Sequence, residues 1–279
     1  MQCASPKGLH RMAYREWGDP RNREVLVCVH GLTRSSRDFD DLARALCGQF
    51  RVVCPDVAGR GDSDRLPDPK LYTWPQYVSD MVTLIARLDV ETVNWLGTSM
   101  GGFVGLALAA QTGSPVKKLV LNDAAPVVAR SSLERIGAYV GQTPVFKDLA
   151  QAEAYIREIS APFGPHSDAQ WRFLTETWLR QKPDGWRPAY DPRIAEPFRD
   201  SMPQSDLLLW YLYDALRCPT LLLRGEHSDV VSRETAAEMA RRGPRARVVE
   251  VRGVGHAPTL MHADQIAIVR DFLLQGEPT

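Results

Sequence analysis

The feature that most constrains this chain is the run Val93-Asn94-Trp95-Leu96-Gly97-Thr98-Ser99-Met100-Gly101-Gly102-Phe103. Residues 93–96 form a short apolar run of the kind that makes a buried strand, and from Gly101 to Ala110 the apolar residues fall at helical period. Glycine on either side of Ser99 marks a strand-to-helix turn so sharp that side chains at 97 and 101 would collide with neighbouring atoms. Such a turn holds one hydroxyl out at the end of a strand, at the positive end of a helix. A nucleophile that must become an oxyanion belongs in that setting.

The flanking sequence alternates strands with helices. Residues 25–29, 51–54, 116–122, 219–224 and 247–251 read as strands, and 9–17 as an edge strand. Helical patterns occupy about 37–46, 75–88, 233–242 and 264–274. This alternation predicts an α/β fold, with a mostly parallel twisted sheet flanked by helices. It breaks once, between 126 and 214, where helical segments around 150–159, 169–181 and 205–216 occur without a strand pattern. Ser131-x-x-Glu134 reads as a capping box opening the first of these helices. The expected organisation is a core of 1–125 and 215–279 and a helical cap, or lid, inserted as 126–214. An insertion there falls where open α/β sheets bind ligands.

Lys plus Arg and Asp plus Glu both number 34, so the net charge gives no reason to expect nucleic acid or a membrane surface as partner. No apolar run approaches membrane length, and the first 18 residues lack the apolar segment of a signal peptide. Five cysteines, an odd number without paired spacing, predict free thiols and a cytoplasmic protein. No His, Cys, Asp and Glu cluster has metal-ligand spacing, so neither a metal nor a cofactor is expected.

A serine nucleophile needs a base, and the base needs an orienting carboxylate. His256 lies in Gly253-Val254-Gly255-His256-Ala257-Pro258, directly after the last strand, and is the best placed of six histidines. His166 and His262 read as solvated surface residues. Asp229 follows the strand at 219–224 and completes the order Ser99, Asp229, His256. Asp123, at the end of the strand after the elbow helix, is the rival, and Glu226 a weaker one. Donors for the oxyanion are expected from the backbone N–H of Met100 and of Leu32, the latter in the loop His30-Gly31-Leu32. His30 itself reads as a brace of that loop.

These features together resemble the α/β-hydrolase family. The residues that carry the resemblance are His30-Gly31, the loop Asp56-x-x-Gly59-x-Gly61-x-Ser63, Gly97-Thr98-Ser99-Met100-Gly101-Gly102, Asp229 and Gly255-His256. The likeness is to the capped serine carboxylesterases and lactonases, and implies hydrolysis of a small ester or lactone through an acyl-enzyme on Ser99. A serine at the elbow separates the chain from the family's aspartate-based haloalkane dehalogenases and epoxide hydrolases. Two alternatives remain on the same fold: a carbon–carbon bond hydrolase of ring-cleavage dienones, and a non-catalytic binding protein. The cap is expected to close an apolar pocket suited to short- or medium-chain acyl esters or small lactones, with Trp171, Trp178 and residues 207–211 as its lining.

Overall fold

The computed structural model describes residues 1–276. In chain order, β1 (Gln2–Ser5) and β2 (Gly8–Arg11) form an antiparallel hairpin, followed by β3 (Tyr14–Trp17), β4 (Val25–Val29), α1 (Asp40–Leu46), β5 (Arg51–Pro55) and α2 (Trp74–Arg87). Next come β6 (Val93–Thr98), α3 (Met100–Ala109) and β7 (Val116–Asn122). The intervening part contains β8 (Val127–Val128), α4 (Arg130–Tyr139), α5 (Leu149–Ile159), α6 (Asp168–Trp178), β9 (Leu179–Lys182), β10 (Gly185–Pro188), α7 (Ala195–Asp200), β11 (Leu207–Leu208) and α8 (Trp210–Ala215). The chain then completes its sheet with β12 (Thr220–Gly225), α9 (Arg233–Met239), β13 (Arg247–Val251) and α10 (Ala263–Leu274).

Among the described residues, seven strands make the central sheet in the order β13-β12-β7-β6-β4-β5-β3. Every neighbouring pair is parallel except the edge pair β3–β5. Successive residues of β4 face opposite layers: Val25, Val27 and Val29 join one core, Leu26 and Cys28 the other. Tyr77, Met81 and Leu84 of α2 cover the first face, while Leu42 and Leu46 of α1 and Val269 and Phe272 of α10 cover the second. Both faces being buried, the central strands are continuously apolar, which made them readable. From β4 the chain goes outward to β5, then returns to the other side of β4 as β6. The loops after β4 and β6 therefore diverge, leaving a crevice at the carboxyl ends of these two strands.

Several sequence expectations shift. The edge strand read over 9–17 is two strands: β2 pairs with β1, and only β3 joins the sheet. The insertion contains an antiparallel hairpin, β9–β10, and a short β8–β11 pair, although it shows no strand pattern in sequence. The helix expected over 169–181 ends at Trp178, and the chain turns into β9. The capping box falls elsewhere too. α4 begins after Ala129 without a side-chain cap and Glu134 pairs with Arg130, whereas Ser167 and Gln170 make a reciprocal capping box on α6. All five cysteines are free. No helix among the described residues is long and apolar enough to cross a membrane.

Tertiary contact also gathers groups that are far apart in sequence. His10 Nε2 lies 3.0 Å from Asp80 Oδ2, and Gln76 donates to the other oxygen at 2.7 Å. Cys3, His10 and Asp80 are all buried, with potential ligand atoms within 4.8 Å of one another. Burial pushes the Asp80 carboxyl up and takes the Cys3 thiol up to about 12. This cluster fastens the β1–β2 hairpin to α2.

Candidate active site

Ser99 stands between β6 and α3 with φ 51° and ψ −114°, a left-handed conformation that a non-glycine residue adopts only under constraint. The constraint comes from its neighbours. A Cβ at Gly97 would lie 2.1 Å from the Gly101 carbonyl oxygen, and one at Gly101 would lie 2.0 Å from that of Val29. Only glycine at both positions lets α3 start this close to the strands, so the spacing of the motif is a packing requirement. The Ser99 carbonyl accepts from Gly102 N at 2.8 Å and Phe103 N at 3.1 Å. Among the described residues, the Met100 N–H has no acceptor in the chain.

A second N–H without an acceptor among the described residues belongs to Leu32. Its peptide plane is oriented from the opposite side. His30 Nδ1–H donates to the Gly31 carbonyl at 2.7 Å, and that carbonyl and the Leu32 N–H share one peptide unit. His30 Nε2 in turn accepts from Val57 N at 3.0 Å, so its partners assign a neutral imidazole with the proton on Nδ1. Gly31 lies against the elbow: a Cβ there would be 3.9 Å from the Ser99 Cβ. Leu32, Ser99, Met100 and His256 line the same cavity. The sequence expectation that His30 braces this loop agrees with both of its hydrogen bonds.

His256 Nε2 lies 3.0 Å from Ser99 Oγ. The loop that carries it is held from three sides. Asn122 Nδ2 donates to the Pro258 carbonyl at 2.8 Å, Gly255 N donates to the Pro162 carbonyl at 2.6 Å, and His166 Nε2 lies 2.9 Å from Thr259 Oγ1. Pro162 and His166 belong to the insertion. Contrary to the surface reading, His166 is half-buried between the rings of Trp171 and His262, and burial pulls its imidazole below the ordinary histidine value.

The carboxylate on His256 is Asp123, whose Oδ2 lies 2.7 Å from His256 Nδ1. Asp229, favoured from the sequence, is not there. Its carboxylate is half-exposed and pairs with Arg135 of α4 at 2.6 Å, while its carbonyl accepts from Ser132 Oγ at 2.6 Å. The reason is visible in the loop after β12. The last residue of β12 and this loop supply donors to a carboxylate rather than the carboxylate itself: Gly225 N reaches Asp123 Oδ1 at 3.0 Å and Ser228 Oγ–H reaches Oδ2 at 2.6 Å. Asp123 is completely buried at φ 51°, directly after β7, the strand between β6 and β12. A buried carboxylate is tolerated when its lone pairs are filled, and here three donors fill them. Glu226, the weaker candidate, accepts from Gly253 N at 2.8 Å and does not reach His256.

The pair of serine and histidine opens into a cavity of about 1120 Å³ between sheet and insertion. Its insertion wall includes Ile156, Leu174, Trp178 and Leu207. Trp171 and residues 208–211, also expected as lining, lie elsewhere: Trp210 packs under Arg242, and Tyr211 is exposed. Trp178 is thus the tryptophan of the insertion that faces the cavity.

Stability carries a pH dependence through His30. Burial, the largest influence on it, pulls its folded-state value below that of the unfolded chain. The neutral form is therefore favoured by folding; its contribution is intact above the unfolded value and is lost as pH falls through the folded one. Melting temperatures between pH 8 and 5 should decline on the acid side, and His30→Gln should flatten that decline.

Comparison with known proteins extends these observations. A family model described as "Alpha/beta hydrolase family" matches residues 26–269. The chain is 55% identical to a 3-hydroxybutyrate-oligomer hydrolase of Cupriavidus necator, an alignment covering 98% of this chain and 96% of that one. It is 29% identical to a 2-(acetamidomethylene)succinate hydrolase of Mesorhizobium japonicum over 83% of this chain and 81% of the relative. Among solved structures, an alpha/beta hydrolase from Novosphingobium aromaticivorans superposes with a TM-score of 0.88 at 40% identity, covering 98% of this chain and 96% of that chain.

Proposed function

The chain belongs to the alpha/beta hydrolase family, and from that premise we propose that it hydrolyses carboxylic esters on Ser99, with short linear oligomers of hydroxy acids as substrates. The observation that carries this reading is one continuous line of hydrogen bonds. It runs from Asp123 Oδ2 through both ring nitrogens of His256 to Ser99 Oγ, at 2.7 and 3.0 Å.

In this mechanism Ser99 Oγ attacks the ester carbonyl while His256 Nε2 takes its proton. Asp123, held by Gly225 and Ser228, keeps the imidazole proton on Nδ1 and stabilises the imidazolium that forms. The N–H groups of Leu32 and Met100 receive the oxyanion. Collapse of the tetrahedral intermediate expels the alcohol, which takes the proton from His256. Water, activated by the same base, then attacks the acyl-enzyme, releasing the acid and restoring Ser99.

The substrate class is supported by two features. The relative at 55% identity is named for hydrolysis of 3-hydroxybutyrate oligomers. The cavity of about 1120 Å³ exceeds the roughly 300–1,000 Å³ of ordinary small-molecule pockets, leaving room for more than one hydroxy-acid unit. Residues 126–214 act as the cap of that cavity, and a reducing cytoplasm suits five free thiols.

One panel tests the reading: a fluorophosphonate probe, linear 3-hydroxybutyrate dimer and trimer, p-nitrophenyl esters of increasing chain length, several lactones and a ring-cleavage dienone. Labelling of Ser99 is expected, with kcat/KM for the oligomers above that for simple alkyl esters. Absence of labelling in folded protein would point to a binding protein. Dienone turnover far above every ester would replace ester hydrolysis by carbon–carbon cleavage.

A further inference from the structure

The loop after β5, Gly59-Arg60-Gly61, delivers an arginine whose place in the reaction is unassigned. Arg60 is completely buried. Its Nε donates to the Leu32 carbonyl at 2.9 Å, Nη1 donates to the Ala58 carbonyl at 2.7 Å and to Tyr77 Oη at 2.9 Å, and Nη2 lies 3.5 Å from Met100 Sδ. The rings of Tyr72 and Tyr77 lie 5.6 and 5.1 Å from the guanidinium carbon. Among the described residues it forms no ion pair with a carboxylate, and it does not line the cavity.

We infer that Arg60 is the positioning residue of the oxyanion site, tying the two donor-bearing residues, Leu32 and Met100, to one buried positive charge. The inference rests on the esterase reading above. Two arguments support it. The first is mechanical: Leu32 is held on both of its peptide units, by His30 through the Gly31 carbonyl and by Arg60 through its own carbonyl. Its N–H then has little freedom to turn from Ser99. Preplaced donors stabilise an oxyanion because they do not reorganise when the charge appears.

The second argument is electrostatic. A buried cation whose direct contacts are carbonyls, a hydroxyl, a thioether sulfur and ring faces, with no carboxylate paired to it among the described residues, is less fully compensated in the resting protein than an ion pair would make it. Negative charge forms beside Leu32 and Met100 only when Ser99 adds to the carbonyl. The cation is therefore better satisfied in the transition state than in the ground state, and a difference of that kind raises rate rather than affinity.

The test compares Arg60→Lys, which keeps the charge, with Arg60→Met, which keeps apolar bulk and loses both charge and donors. Acylation is read as the second-order rate of fluorophosphonate labelling of Ser99 and as kcat on a p-nitrophenyl ester, with melting temperature alongside. Arg60→Met should lower both rates roughly 10- to 100-fold, less than the loss of a donor itself, with KM changed no more than about twofold. Arg60→Lys should recover a substantial part of that loss at a similar melting temperature. Folded Arg60→Met that labels at the unaltered rate, or equal rates in Lys and Met variants, would overturn the inference. Should either variant not fold, Tyr77→Phe removes one guanidinium acceptor in a single-oxygen change. It should slow labelling a few-fold at constant KM, and unaltered labelling would count against Arg60. If the unaltered protein neither labels nor turns over an ester, the esterase reading fails rather than the role of Arg60.

Discussion

Asp123→Asn is expected to lower ester turnover by about four orders of magnitude while the protein still folds. Asparagine is nearly the same size, and its amide oxygen can still accept from Gly225 N or Ser228 Oγ. It cannot stabilise an imidazolium, and its amide can turn His256 to the tautomer with the proton on Nε2, which has no lone pair for Ser99. Asp229→Asn, by contrast, should change kcat by less than about threefold. It weakens an ion pair with Arg135 in which both side chains are about half-exposed, and such pairs contribute roughly 0–1 kcal/mol to stability. Steady-state kinetics of the two variants side by side decide the matter. Near-normal activity in Asp123→Asn together with collapse in Asp229→Asn would return the acid to the loop after β12.

Ser99→Ala should reduce turnover by at least about a thousandfold, since only binding and the oxyanion donors remain to accelerate hydrolysis. Fluorophosphonate labelling should vanish with it. The fold should survive, because Oγ contacts His256 and holds no core together. A companion variant separates chemistry from strain. Ser99→Gly loses the same hydroxyl but relieves the φ of 51° imposed on the elbow. It should be more stable than Ser99→Ala by about 1 kcal/mol, the lower end of what such a conformation costs a non-glycine residue. Equal melting temperatures for the two would mean the elbow is not strained, with the catalytic result unaffected.

The sequence alone determined the sheet and the sharp turn that presents Ser99. Continuous apolar runs such as Val25–Val29 report burial on both faces, and burial on both faces requires helices above and below. Gly97-x-Ser99-x-Gly101 is readable because its glycines answer to a local collision that any such turn meets. That His256, Leu32 and Met100 would gather around Ser99 followed from their nearness in sequence to strand ends. The carboxylate against His256 did not follow, and chain order could not choose it, since Asp123 and Asp229 both lie between Ser99 and His256. What chose it was three-dimensional: β7 lies between β6 and β12, so its end faces the histidine while the next loop turns its N–H and hydroxyl donors inward. Asp229 is left outside as a partner for Arg135. Arg60 was hidden for a related reason. A lone arginine in a glycine-rich loop reads as solvated, and only the packing of that loop under Leu32 and Met100 buries its charge. The β9–β10 hairpin has no alternating pattern because three residues of β9, Arg180 to Lys182, are exposed. Local periodicity reports which face of an element is buried; which neighbour fills a carboxylate or surrounds a cation is set by the order of strands in the sheet.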